Sequence, residues 1–343
     1  MDATVDFESS ESHLLLNPRL PAEERARLER LVPPLRGHVF VATSGTTGTI
    51  KLVALSKAAI LASAAAVNGR LEATAKDVWC RVLPLFHVGG LGIHARAHLS
   101  GARVIEMPWD ARAVAASEAT LASLVPAQVH DLVEAGLRPP ATLREVLVGG
   151  GAFDPALQAR GRAFGWPLLA TYGMSECAST VTVEDELLPH LDARSEPDGR
   201  LAFRGASLFT GYATEAGLID PKVDGWFLTE DFGDIEGRRV RVRGRAADFV
   251  KIGGESVDLN RLDAIIRYIA GDAAAVVAVP DERLGYVIHL AATGPAQGIV
   301  EAFNAQVLPF ERIRQAHRVA AIPRSPLGKL LRRELEQLLK VPE

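Results

Sequence analysis

Val41-Ala42-Thr43-Ser44-Gly45-Thr46-Thr47-Gly48-Thr49-Ile50-Lys51-Leu52 is the stretch from which the rest of the chain can be read. One apolar run, His38 to Ala42, leads into it and another, Leu52 to Leu55, leaves it; both read as buried strands. Between them stand two glycines, five hydroxyl residues and one lysine. Glycines let a backbone come close to a ligand and turn its amides toward it. Successive amides form a nest for an anion. Hydroxyls add donors and Lys51 adds a point charge, so the loop suits a polyphosphate. It is not the Walker loop, which needs a lysine directly after the last glycine and then Ser or Thr. Here Lys51 follows Gly48 by three residues, and Leu52 comes next. A plain polar turn between two strands has the same composition, so the remaining motifs must separate the two readings.

Length and composition narrow the field. The chain has 343 residues, 48% hydrophobic and 23% charged, which is enough for two or three domains with a sizeable core. A net charge of -4 gives no reason to expect a nucleic-acid or membrane-surface partner. Arginines cluster at Arg238 to Arg245 and Arg312 to Arg318, but acidic residues are interspersed nearby. No apolar run is long enough to span a bilayer, and no charged-then-apolar leader opens the sequence. Two cysteines, Cys80 and Cys177, without metal-ligand spacing suit a reducing cytoplasm.

From residue 56 to about 173, helical and strand patterns alternate. Ser56 to Asn68 reads as an alanine-rich helix with Ser56 as its cap. Val78 to Leu85, Ala102 to Met107, Thr120 to Val125, Leu143 to Val148 and Leu168 to Thr171 read as strands. The helices between them are Leu91 to Leu99, Ala127 to Ala135, and one capped by Asp154 that runs to Phe164. Such alternation predicts an α/β domain with largely parallel strands. From about Gly199 short strands take over, which suggests a small β subdomain over 199–243. Residues 248 to 343 read as strand, helix, strand, strand, helix, strand and tail, an α+β unit of ordinary domain size.

Six further motifs carry candidate chemistry. Leu83-Pro84-Leu85-Phe86-His87-Val88-Gly89-Gly90 ends a strand on a histidine followed by glycines. Gly149-Gly150-Gly151 also follows a strand. Thr171-Tyr172-Gly173-Met174-Ser175-Glu176 offers a flat ring for a base, a glycine that admits a ligand, and a carboxylate suited to Mg²⁺. Gly225 to Gly233 contains Asp231, whose carboxylate can accept two hydrogen bonds from a diol. Gly244-Arg245 and Lys251-Ile252-Gly253-Gly254 bracket a boundary, and Pro323-Arg324-Ser325-Pro326-Leu327-Gly328-Lys329 lies near the C-terminus. Taken singly, each has a bland alternative: a strand-to-helix turn, a surface glutamate, a turn aspartate, an exposed lysine.

In this order the motifs resemble those of the acyl-adenylate-forming superfamily, which includes acyl- and aryl-CoA ligases. Phe86 to Leu91, Ser123-Leu124-Val125-Pro126-Ala127-Gln128, and Tyr172 to Thr180 resemble its 2-succinylbenzoate–CoA ligase branch, of menaquinone biosynthesis. The resemblance implies a large N-terminal α/β AMP-binding domain over 1–246, shortened at its start because 42 residues precede Thr43. A small mobile α+β domain over 247–343 would follow.

ATP, Mg²⁺ and CoA are the implied cofactors and co-substrate, with a carboxylic acid as partner. ATP would lie on Thr43, Ser44, Gly45, Thr46, Thr47, Gly48 and Lys51, then on Gly150, Gly151, Thr171, Tyr172, Gly173, Met174 and Ser175, with Asp231 and Arg245 at the ribose and phosphate. Glu176 would hold the metal, and Lys329, Glu176 and Thr46 would act in catalysis. His87, Gly89, Gly149 and Gly173 would line the acyl site. Arg96 is the candidate partner for a second substrate carboxylate. Ala247 takes the hinge position, and Gly253 and Gly254 the thiol channel. Another aryl or fatty acid as substrate, carrier-protein loading, and an inactive nucleotide-binding homologue are the rival readings. Apolar surface left by the short N-terminus would be covered by a second copy in a homodimer.

Overall fold

Short apolar runs that each follow a helix line up here as one parallel sheet, because a strand buried on both faces needs helices on both sides. The protein is described from a computed structural model, which covers residues 5–44, 50–151, 153–245, 249–252, 255–281, 283–324 and 330–340. Its chain divides into two units, Met1–Thr229 with Gly233–Val242, and Glu230–Phe232 with Arg243–Glu343.

The first unit begins with β1 (His13–Leu15), α1 (Ala22–Arg30), β2 (His38–Ser44), β3 (Ile50–Ser56) and α2 (Lys57–Leu71). Then come β4 (Val78–Arg81), α3 (Val88–Ser100), β5 (Arg103–Glu106), α4 (Ala111–Ala115), β6 (Leu121–Leu124), α5 (Pro126–Glu134), β7 (Glu145–Val148), α6 (Pro155–Ala163) and β8 (Leu168–Met174). Strands follow: β9 (Ser179–Val183), β10 (Glu186–Leu187), β11 (Leu191–Ser195), β12 (Arg200–Gly205), β13 (Gly211–Thr214), β14 (Gly217–Ile219), β15 (Phe227–Glu236) and β16 (Arg239–Arg245). Ser56 caps α2 by accepting from the Ala59 amide, as its sequence position predicts. Asp154 does the same for α6 through Ala156.

Strands β5, β4, β6, β7 and β8 run parallel, in that order. One face buries Cys80, Ala122, Leu124, Val146 and Val148 against Val129, Leu132 and Val133 of α5. The other buries Trp79, Leu121 and Leu147 against Val67 and Leu71 of α2 and Ile93 and Ala97 of α3. Beyond β8 the sheet turns antiparallel and is extended by β9, β10, β16, β15, β12 and β11. A second sheet has the order β1-β2-β3-β13-β14. The short strands between 199 and 243 are thus shared between two sheets instead of forming a block of their own. Both cysteines are buried and form no disulfide; burial pushes the Cys80 thiol up to about 11.

The N-terminal ends of the parallel strands are pinned by one carboxylate. Asp77 accepts from Arg144 Nε (3.0 Å) and Nη2 (3.0 Å), from the Thr120 hydroxyl (2.7 Å) and from the Thr74 amide (2.8 Å). These donors, Arg144 foremost, hold the Asp77 carboxyl far below the usual carboxylate range. With a depressed folded pKa, its stabilisation is complete above about pH 4, the unfolded value, and is lost as pH falls toward the folded one. Asp77→Ala is expected to cost about 1–3 kcal/mol in urea melts at pH 7, because the Thr120 hydroxyl and the Thr74 amide lose their acceptor while the exposed Arg144 guanidinium returns to water. A loss under about 1 kcal/mol would show the cluster to be an ordinary surface pair.

The second unit contains β17 (Phe249–Ile252), β18 (Glu255–Asp258), α7 (Leu259–Ala270), β19 (Ala274–Asp281), β20 (Gly285–Ala292), α8 (Gln297–Asn304), β21 (Ile313–Arg318) and α9 (Arg332–Lys340). A β17–β18 hairpin stands where one strand was expected. Leu259, Leu262 and Ile266 of α7 and Phe303 of α8 cover one sheet face. Leu335 of α9 covers the other, over Ala275, Val277 and Ala291.

Candidate active site

The two strands that flank the loop with which the sequence reading began pair with each other. Strands β2 and β3 pair antiparallel with Thr43 opposite Lys51 and Ser44 opposite Ile50. Gly45, Thr46, Thr47 and Gly48 lie outside the described residues. On its other side β3 pairs with β13, and Tyr212 stands opposite Val53. That register brings the Lys51 ammonium over the Tyr212 ring, 5.2 Å from its centre. The Tyr212 hydroxyl in turn donates to Glu176 Oε1 at 2.8 Å. Lys51 and Glu176, 125 positions apart in the chain, therefore share one tyrosine. No motif drew attention to Tyr212; its signal is only the apolar–aromatic alternation of a strand that pairs with the loop strand.

Glu176 sits in a single 3-10 turn, Ser175–Cys177, directly after β8. The turn ends on Ala178 in the left-handed region (φ 60°). Strand β8 was expected to stop at Thr171 but runs through Tyr172 and Gly173 to Met174, because Gly173 pairs with Thr180 of β9 across a register shift. Only glycine fits there: a Cβ on Gly173 would stand 1.9 Å from the Ser179 carbonyl oxygen. Gly149, at the C-terminal end of β7, lies against Thr171, whose hydroxyl donates to the Val148 carbonyl at 3.0 Å. Gly149, Gly150 and Gly151 with Thr171 and Tyr172 thus gather at the carboxyl ends of neighbouring parallel strands, where open α/β sheets bind their ligands.

His87 precedes α3 and is exposed, with the Phe86 ring 4.6 Å away; nearby protein still lowers its pKa by desolvation. Gly89, two residues on, lies in the first turn of α3. Arg96 is on the same helix and is 2% exposed. Its guanidinium donates to the hydroxyls of Ser123 (3.2 Å), Ser179 (3.4 Å) and Thr180 (3.0 Å) and lies 5.5 Å from the centre of the Trp79 ring. Its Nε has no acceptor among the described residues. Desolvation lowers its pKa to about 10, and no carboxylate opposes that shift among the described residues. Ser123, Ser179 and Thr180 lie in the segments that carried the sequence resemblance, but their convergence on Arg96 depends on three separate strands and helices meeting.

A magnesium ion fits this donor set. The described residues contain no group of three or more His, Cys, Asp or Glu that would cage a metal. Mg²⁺ commonly takes one carboxylate together with phosphate oxygens and waters. Glu176 supplies such a carboxylate, with one oxygen already oriented by Tyr212.

Other expected site residues belong to the second unit. Asp231 is buried, 4% exposed, in the middle of β15 and not in a turn. Arg245 ends β16. Ala247, Gly253, Gly254 and Lys329 lie outside the described residues.

Comparison with known proteins identifies relatives along most of the chain. Residues 38–201 match the AMP-binding enzyme family. A probable 2-succinylbenzoate–CoA ligase of Mycobacterium tuberculosis is 31% identical over 323 residues, covering 87% of this chain and 83% of that protein. The 2-succinylbenzoate–CoA ligase of Bacillus cereus is 28% identical, covering 93% and 73%. Among solved structures, wild-type E. coli MenE with a bound OSB-AMS analogue superposes with a TM-score of 0.76 at 22% identity, over 98% of this chain and 89% of that one. The o-succinylbenzoate CoA synthetase of Bacillus subtilis, in complex with the acyl-adenylate OSB-AMP, gives 0.78 at 23%, over 89% and 69%. These two structures show the shared fold. Family match and relatives agree: the chain belongs to the AMP-binding, acyl-adenylate-forming enzyme family.

Proposed function

We propose that this chain is an ATP-dependent acid–CoA ligase that converts 2-succinylbenzoate, through its acyl-adenylate, to 2-succinylbenzoyl-CoA. One observation carries the choice of acid. Arg96 is a buried cation whose described partners are neutral hydroxyls and an aromatic face. An uncompensated buried charge is costly, and a carboxylate offsets that cost when it arrives with its own hydrogen bonds. A substrate with a second carboxylate supplies it; a fatty acid or plain benzoate does not.

In the first half-reaction a substrate carboxylate oxygen bonds to the α-phosphorus of ATP and pyrophosphate leaves. In the second, the CoA thiolate attacks the acyl carbonyl and AMP leaves. Magnesium, when bound, neutralises phosphate charge. Lys51 and the hydroxyl loop hold the phosphates, and Glu176 is kept in place by Tyr212. Positioning and preorganised charge supply most of the rate in such chemistry. Asp231 and Arg245 are assigned to the nucleotide, Lys329 to the first half-reaction, Ala247 to the hinge, and Gly253 and Gly254 to the thiol path.

A panel of acids with ATP and CoA, read by pyrophosphate release, tests the substrate. Turnover of 2-succinylbenzoate well above that of benzoate and decanoate is expected; preference for a monocarboxylate would overturn the assignment. Lys329→Ala is expected to abolish acid-dependent pyrophosphate exchange, by about 10²–10³-fold, while sparing thioester formation from supplied acyl-adenylate. Equal loss of both half-reactions would refute its assigned role.

A further inference from the structure

The N-terminal arm, residues 5–12, has no role in the chemistry above, yet it is tied down as firmly as a core segment. Val5 and Phe7 are 2% and 7% exposed. They share a hydrophobic cluster with Ile60 and Ala64 of α2 and with Leu91 and Ala95 of α3, and Phe86 and Val88 pack on its margin. Lys57, 5% exposed, gives its ammonium entirely to the arm: it donates to the carbonyls of Asp6 and Ser9 (2.8 Å to the latter) and to the Ser9 hydroxyl (3.1 Å). Burying a lysine to hold main-chain carbonyls is an expensive way to anchor an irregular segment, which points to a segment whose position matters.

What the arm holds is α3. The Phe7 ring lies 5.4 Å from that of His94 and 5.3 Å from that of His98. His94 Nε2 bonds the Val5 carbonyl at 2.9 Å, and His98 Nε2 meets Glu8 Oε1 at 3.0 Å. At about 100° per residue, Arg96 stands about 160° around the helix from both histidines. The arm therefore presses on one side of α3 while Arg96 leaves the other. On that far side the described partners of the guanidinium are three hydroxyls at 3.0–3.4 Å and the face of the Trp79 ring, so the placing of the helix sets the placing of the charge.

We propose that residues 5–12 are a strap that positions α3, and through it Arg96, so that the arm sets affinity for the acyl substrate without touching it. Phe7, Lys57, His94 and His98 are then positioning residues. The proposal rests on the assignment of Arg96 to the second carboxylate.

The test compares Phe7→Ala, and the milder Glu8→Gln at the exposed His98 contact, with the unaltered full chain. Amide hydrogen exchange of residues 91–100 is read without ligand, and steady-state KM for 2-succinylbenzoate and for ATP is read separately. For Phe7→Ala we expect faster exchange in α3 with unchanged protection of β4, β6 and β7. KM for the acid should rise about ten-fold and KM for ATP by less than about two-fold, since small misplacements of a binding group are costly. Glu8→Gln should move the same two readouts in the same direction, by about two-fold. Unchanged exchange in α3 would overturn the strap, as would KM values for acid and ATP that rise together. If the unaltered chain does not use 2-succinylbenzoate, the substrate assignment fails separately. The KM comparison then runs on the best acid of the panel, and the exchange readout stands as it is.

Discussion

Arg96→Met is expected to cut kcat/KM for 2-succinylbenzoate by at least about thirty-fold while leaving the ligand-free protein nearly as stable as before. The two effects come from the same burial. In the complex, removing one partner of a desolvated charge pair costs about 2–5 kcal/mol, or roughly 30- to several-thousand-fold. Without ligand the balance differs. The guanidinium is buried with hydroxyls for partners, so its desolvation is not repaid by an opposite charge. Methionine of similar length removes that cost, and buried ions replaced this way are often neutral or stabilising by about 1–4 kcal/mol. Against this, the Ser123, Ser179 and Thr180 hydroxyls each lose a donor, which offsets some of the gain. Chemical melts and acid kinetics on one variant check both halves. Benzoate activity should hardly change. A fall of equal size for benzoate and 2-succinylbenzoate would mean that Arg96 supports the fold and does not read the second carboxylate. Arg96→Lys keeps the charge but not the planar fork that reaches three hydroxyls, so it should fall between the two.

Glu176→Gln is the second large effect. The glutamine is isosteric and its carbonyl oxygen still accepts from the Tyr212 hydroxyl, so the contact that fixes the turn after β8 is kept. What is lost is the negative charge that suits a hard cation beside phosphate oxygens. Acid-dependent ATP–pyrophosphate exchange should fall by about 10²–10³-fold, and part of the loss should be recovered by raising Mg²⁺. Thioester formation from supplied acyl-adenylate should be nearly untouched, because pyrophosphate has already left. If both half-reactions fall together with no shift in Mg²⁺ dependence, Glu176 is a structural residue of the β8 turn.

Much of this architecture was legible from local signals. The alternation of apolar runs and capped helices between residues 56 and 173 announced the parallel sheet, because periodicity and caps act over a few residues and survive in any context. Ser56 and Asp154 are both found capping the helices they predicted. The order of the motifs named the family, since it depends only on which residue types stand in which sequence. Boundaries that depend on pairing were less legible. Strand β8 extends to Met174 because β9 offers it a partner, and the stretch around Asp231 is a strand because neighbouring strands flank it. Likewise a hairpin replaced the single strand expected at the start of the second unit.

Residue types and their order were enough to establish the enzyme family and to propose a phosphate loop, a metal carboxylate and an arginine for the acyl site. Only three-dimensional packing made Arg96 a buried cation with no counter-charge among the described residues, put Tyr212 between Lys51 and Glu176, and laid the N-terminal arm across α3. The physical reason is sequence distance. Arg96 meets Thr180 across 84 positions and Lys57 meets Ser9 across 48. Contacts of that range are set by how whole elements pack, and no local periodicity or cap encodes them.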